Sequence, residues 1–191
     1  MLTNADLESL LSQPESFPFL SVYLDLGPQA RASRSYETVV RKRFSELEEL
    51  FEKGSKEEAL FWQAVKRVWD FINNELPQTG HGAALFVAPG LDFWRSYTVA
   101  YRFETEVVLD RLPYVRPLAH VVEEHEHHLV VETRSDTASV FVVHLRAPTP
   151  VSRVAELETE VPGKTAQGGW SQRRFQWHRR DHIMRHIKRV A

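Results

Sequence analysis

Residues 168–180 hold the side chains best suited to chemistry or recognition. Gly168 and Gly169 stand together before Trp170, Ser171 and Gln172, and Arg173, Arg174, Arg179 and Arg180 follow within eight positions. Paired glycines open positive φ to the backbone and let another molecule come close, because no Cβ intervenes. An indole placed directly after them belongs at or near an exposed loop tip, where its face can stack on a base or enter an apolar slot. Ser171 and Gln172 are suitable helix-opening residues. The helix they open is basic, carrying Arg185, Lys188 and Arg189 as well, and such a surface suits a phosphate-rich partner.

The other candidate groups make a weaker case. His120, His125, His127 and His128, with Glu123, Glu124 and Glu126 among them, suggest a metal. However, a helix that ends before His128 cannot bring them into a tetrahedral set, and histidines near a helix C-terminus are explained by its dipole. There is no cysteine, hence no disulfide framework, thiolate nucleophile or thiolate metal site. Asp25, Asp92, Asp110 and the scattered serines form no nucleophile–base set. Neither a cofactor nor a metal is expected.

Charge divides the chain. The formal net of −2 conceals eight Lys/Arg against one acid from Lys164 onward, and sixteen bases against twenty-five acids before it. A polyanion is therefore drawn to the C-terminal segment and repelled by much of the rest, unless that basic segment packs on the acidic body instead. The N-terminus lacks the basic start and apolar run of a signal peptide, and no apolar stretch reaches a membrane span, so a soluble cytoplasmic protein without a membrane partner is expected.

The elements that must position these residues are legible in the hydrophobic pattern. Thr3-Asn4 caps a short helix striped by Leu7, Leu10 and Leu11. Phe19 to Leu26 alternates as a strand, with Leu20, Val22, Leu24 and Leu26 on one side, and turns at Gly27-Pro28. A helix from Ser33 or Ser35 carries Tyr36, Val40, Phe44, Leu47 and Phe51. Another begins near Lys56, with Phe61, Ala64, Val65, Val68 and Ile72, and ends by Pro77. Strands follow at about 82–88, 94–101 and 104–109. The two prolines in Leu112–Pro117 mark a domain boundary, with Pro117 at the start of a helix burying Leu118, Val121 and Val122. Strands at about 128–133, 138–145 and 151–157 lead through Val161-Pro162-Gly163 to the glycine loop. The last helix sets Phe175, Ile183, Ile187 and Val190 on one face.

The Gly168-Gly169-Trp170-Ser171 string, with Arg174-Phe175 just beyond, resembles the Gly-Gly-Gln-Ser segment and following Arg-Phe of the archaeal and eukaryotic class-1 peptide-chain release factors, relatives of Pelota. Bacterial members of that superfamily look similar along the whole chain, including Ser21–Asp25, Tyr114–Leu118 and Val161–Gly163. The resemblance implies an α/β (α+β mixed) fold. A mixed-sheet domain with helices spans residues 1–114, and the first part of a second α/β domain spans 115–191. In the family that second domain continues, so the chain stops at Ala191 inside it, as a truncation or a short natural form.

Trp170 stands where the resemblance places a catalytic glutamine. Its single indole N–H offers no amide acceptor to place water against an ester carbonyl. The stretch matching the stop-codon-reading loop, 29–36, reads Gln-Ala-Arg-Ala-Ser-Arg-Ser-Tyr and gives no support for decoding, although Arg31 and Arg34 are available to RNA. The leading reading is a non-catalytic protein that binds the ribosome, through ribosomal RNA or transfer RNA, by Gly168–Gln172 and the arginines behind them, in rescue, hibernation or other translation-linked regulation. Two rivals stand beside it: a hydrolase of peptidyl-transfer RNA or a related ester using Gln172 or Gln167, and a protein-interaction module anchored by Trp170. An incomplete second domain with an apolar face should also pair with its copy as a homodimer.

Overall fold

In the computed structural model, residues 2–124, 128–134, 137–149 and 151–158 are described. They form two compact units. The first takes residues 1–126 and regains 144–150; the second takes 127–143 and 151–191.

Local chemistry starts the helices of the first unit. Helix α1, Asn4–Leu11, opens on a reciprocal capping box in which Thr3 and Asp6 satisfy each other's backbone N–H. Strand β1 is Phe19–Asp25. Helix α2, Pro28–Ser33, occupies what the sequence shows only as a turn: Pro28 lies in the first turn of a helix, where its missing N–H costs nothing. Arg34 ends α2 in the left-handed region (φ 51°) and precedes α3, Ser35–Glu48. Ser55 caps α4, Lys56–Asp70, by accepting from the Glu58 N–H at 3.0 Å. The chain then widens into a π turn over Phe71–Glu75. Strands β2 (Gly82–Ala88), β3 (Phe93–Val99) and β4 (Glu106–Asp110) complete the sheet, and α5, Arg116–Glu124, follows.

The strand order is β3-β2-β1-β4 and every pairing is antiparallel. The α+β class expected from the sequence is present, but an antiparallel sheet replaces the mixed one expected for this domain. Central strands β1 and β2 are buried on both faces, so they read as near-continuous apolar runs. On one face Leu20, Val22, Leu24 and Leu26 pack with Tyr36, Val40, Phe44 and Leu47 of α3 and with Phe61, Ala64, Val65 and Val68 of α4. On the other, Phe19, Tyr23 and Phe86 pack with Leu10 of α1 and with Leu118, Val121 and Val122 of α5. The first unit is thus a sheet between two helical layers.

Two polar side chains of β1 fasten the segment before α5. Ser21, fully buried, accepts from the Tyr114 N–H at 3.0 Å, and the Tyr23 hydroxyl donates to the Tyr114 carbonyl at 2.6 Å. Tyr114, within the stretch 112–117 read from sequence as a boundary, is therefore pinned to the central strand.

In the second unit, β5 (His128–Thr133), β6 (Thr137–Val143) and β7 (Val151–Glu158) form an antiparallel sheet in that order. A register shift falls between Val140 and Phe141. Cross-strand partners Leu129–Val142 and Val131–Val140 line one face.

Candidate functional site

The C-terminal set Gln167, Gly168, Gly169, Trp170, Ser171, Gln172, Arg173, Arg174, Arg179 and Arg180 lies outside the described residues, as do His125 and His127. The described part of its unit is the three-stranded sheet whose last strand, β7, precedes it in the chain. His120 is exposed on α5, its ring 5.8 Å from that of Tyr101, and His128 opens β5. Among the described residues no group of three or more His, Asp or Glu side chains could hold a metal ion. No helix among them is long and apolar enough to cross a membrane.

The stretch 29–36 forms α2 and the start of α3, and its two arginines are engaged. Arg31 donates through Nε to the Leu26 carbonyl at 3.0 Å and through its terminal nitrogen to Thr79 and Gly80 at 3.2 and 3.1 Å. It closes three backbone acceptors at the end of the sheet, so it serves the fold first. Arg34 pairs with Glu37 and reaches Asn73 Oδ1 at 3.4 Å, which helps offset its left-handed backbone.

Asp25, which forms no nucleophile–base set in the sequence, ends β1. Arg102 grips both of its oxygens, at 2.6–2.9 Å, and the Gly27 N–H donates to it at 2.8 Å. Partial burial acts to raise its pKa. The hydrogen bonds from Arg102 and Gly27, with the positive charge of Arg102 and of nearby His81, outweigh burial and hold the carboxyl below its usual range. At edge strand β3, Arg67 stacks 3.9 Å over the Trp94 ring while gripping Glu75 through two bonds of 2.5 and 3.0 Å, which lower the Glu75 pKa.

Two cavities flank β4. One, of about 270 Å³, is lined by Tyr101, Phe103 and Tyr114 with Glu104, Glu106 and Arg116. Its rings form a continuous edge-on chain: Tyr114 to Tyr23 at 6.1 Å, Tyr23 to Phe103 at 5.1 Å and Phe103 to Tyr101 at 5.3 Å. Burial pushes the Tyr23 phenol well above its ordinary pKa, so it stays a hydrogen-bond donor. Gly82 makes this arrangement possible. A Cβ there would meet the Tyr101 carbonyl oxygen at 2.4 Å and the Phe103 ring at 2.6 Å. The second cavity, of about 520 Å³, runs between α3 and β4, with Val39, Leu47, Leu50 and Arg43, which pairs with Glu46 at 2.8 Å, on one wall and residues 105–109 on the other. Sequence reasoning passed over both. Their walls come from segments far apart in the chain, and no local spacing marks them.

Two antiparallel-sheet units are thus followed in the chain by a Gly-Gly-Trp-Ser segment and a basic stretch. Residues 113–191 match the family described as Bacterial archaeo-eukaryotic release factor family 10, in accord with the resemblance read at Gly168–Phe175. The chain is also similar to the crystal structure of the archaeal translation termination factor aRF1, at 15% identity, over 93% of this chain and 47% of that one, with a TM-score of 0.41. A second solved structure, of an archaeal protein, is similar at 15% identity over 95% of this chain and 52% of that one, with a TM-score of 0.41. The chain spans about half the length of both. No curated protein matches it.

Proposed function

We propose that this protein is a non-catalytic, release-factor-like binder of the ribosome, contacting ribosomal RNA or transfer RNA through Gly168–Gln172 and through Arg173, Arg174, Arg179 and Arg180. The carrying observation is Trp170 in the glutamine's place, within the segment that matches the release-factor family. The indole keeps a face for stacking and gives up the amide that positions water. The excess of base over acid after Lys164 supplies phosphate contacts, and the acidic remainder of the chain confines them to that segment.

Sedimentation with purified ribosomes over a salt series tests binding, and release of labelled peptide from peptidyl-transfer RNA tests chemistry. The proposal expects co-sedimentation that falls steeply with salt, and no release above background. Release abolished by Gln172→Ala would establish the hydrolase reading instead. Salt-insensitive binding to a protein component, abolished in Trp170→Ala, would establish a protein-interaction module. Pairing of two copies through the C-terminal segments is a separate part of the proposal, and light scattering at several concentrations reads it.

A further inference from the structure

Strand β4 is an edge of its sheet, paired only with β1 among the described residues. An edge strand offers a row of backbone donors and acceptors to another extended chain. Its two faces differ. Residues Thr105, Val107 and Leu109 share the face on which α3 packs, where Val39 and Leu50 are 45% and 71% exposed beside the groove. Glu106, Val108 and Asp110 share the other face, and Glu106 lines both the groove and the aromatic cavity.

This pattern argues against a second copy as the occupant. Antiparallel pairing of β4 with itself about Val108 would oppose Glu106 and Asp110 twice, and like charges directly opposite each other are destabilising. Opposite charges are favoured at the same two places. A cation opposite Glu106 would also meet the Tyr101, Phe103 and Tyr114 rings and Glu104; Arg116 and His120 share that lining, but the two carboxylates outnumber its one arginine, and the ring faces add to the attraction for an ammonium group.

We propose that the β4 edge docks an extended basic peptide of a partner protein, which adds a strand to the sheet. Its apolar residues cover Val39, Leu47 and Leu50, and a lysine or arginine four residues from another sits against Glu106 and the aromatic cavity, with the second against Asp110. Main-chain pairing supplies the affinity and the alternating pockets supply the specificity. This inference concerns the first unit and stands apart from the reading of the C-terminal loop.

The probe is a fluorescein-labelled, end-capped peptide Thr-Val-Lys-Val-Thr-Val-Lys-Val-Thr, titrated with the full chain by anisotropy. Three controls accompany it: glutamate at both lysines, N-methylation at alternate backbone nitrogens, and a single-stranded RNA oligonucleotide in place of peptide. The expected result is saturable binding that weakens by about tenfold in Glu106→Gln, as removal of a charge beside the aromatic rings implies. Binding should vanish in Val39→Asp/Leu50→Asp, whose exposed positions leave the fold intact by circular dichroism. The glutamate and N-methylated peptides should fail to bind. Equal binding of the glutamate or N-methylated peptide, or no binding of the lysine peptide at millimolar protein, would overturn the proposal. So would RNA binding that Tyr101→Ala abolishes, without peptide binding, which would make the cavity a base pocket. Concentration-dependent dimers abolished by Leu50→Asp would assign the edge to a second copy and overturn it equally.

Discussion

Removing the Tyr23 hydroxyl should loosen the whole connection into α5. Tyr23 is almost completely buried, and its O–H is the donor at 2.6 Å to the Tyr114 carbonyl, 91 positions away. Tyr23→Phe keeps the ring and its edge-on contacts with Phe86, Phe103 and Tyr114 while deleting the hydroxyl's bonds, to the Tyr114 carbonyl and to the backbone of Leu118 in α5. The carbonyl is left to find another partner, so the expected cost is about 1–3 kcal/mol, set by the unpaired acceptor rather than by the net worth of a hydrogen bond. With a urea slope of roughly 2 kcal/mol per molar, the unfolding midpoint should fall by about 0.5–1.5 M at unchanged slope. Ser21→Ala removes the acceptor for the Tyr114 N–H and should cost a similar amount. Both changes free the same residue, so their effects should not add. The double variant should fall short of the sum by at least about 0.5 kcal/mol. Hydrogen exchange gives a second readout, because amides of α5 should lose protection in either variant before those of α3 and α4. A Tyr23→Phe midpoint within about 0.1 M of the parent, or full additivity with Ser21→Ala, would refute the claim that β1 clamps this segment.

Further outcomes follow from the same structure. Gly82→Ala should destabilise the first unit by at least about 1–3 kcal/mol, because the added methyl meets backbone and ring atoms that cannot both retreat; a thermal melt unchanged from the parent would contradict this. The Asp25 carboxyl is held below its ordinary pKa, so its stabilising contribution is complete above the ordinary carboxyl range near ~4 and fades as pH falls through the lowered folded-state value. Asp25→Asn should accordingly be less stable at neutral pH and show a weaker acid dependence, by a small amount since Arg102 is largely in solvent; identical pH–stability curves would refute it. Changing Arg173 and Arg174 together to alanine should weaken ribosome or RNA binding and flatten its salt slope by roughly 0.7–0.9 for each phosphate no longer neutralised, and an unchanged slope would make these arginines a solvated face.

The amino-acid sequence by itself determined where most of the described helices and strands fall, α2 being an exception. The alternation Leu20, Val22, Leu24, Leu26 placed one face of β1 against the core. The spacing of Tyr36, Val40, Phe44 and Leu47 placed α3 beside it. These signals are local, because a pleat repeats every two residues and a helix every 3.6. The Gly-Gly-Trp-Ser string likewise pointed to the family that residues 113–191 match. Only the tertiary structure decided what the polar residues of the first unit do. In sequence Asp25 belongs to no nucleophile–base set, and only the fold closes Arg102 on it from 77 positions away; in sequence Arg31 is merely available to RNA, and only the fold brings it to the carbonyls of Thr79 and Gly80. The antiparallel order β3-β2-β1-β4 leaves β4 at the edge and brings Tyr101, Phe103, Glu106 and Tyr114 around one cavity. Pairing order depends on which buried faces fit one another across long separations, and no periodicity within a strand encodes it.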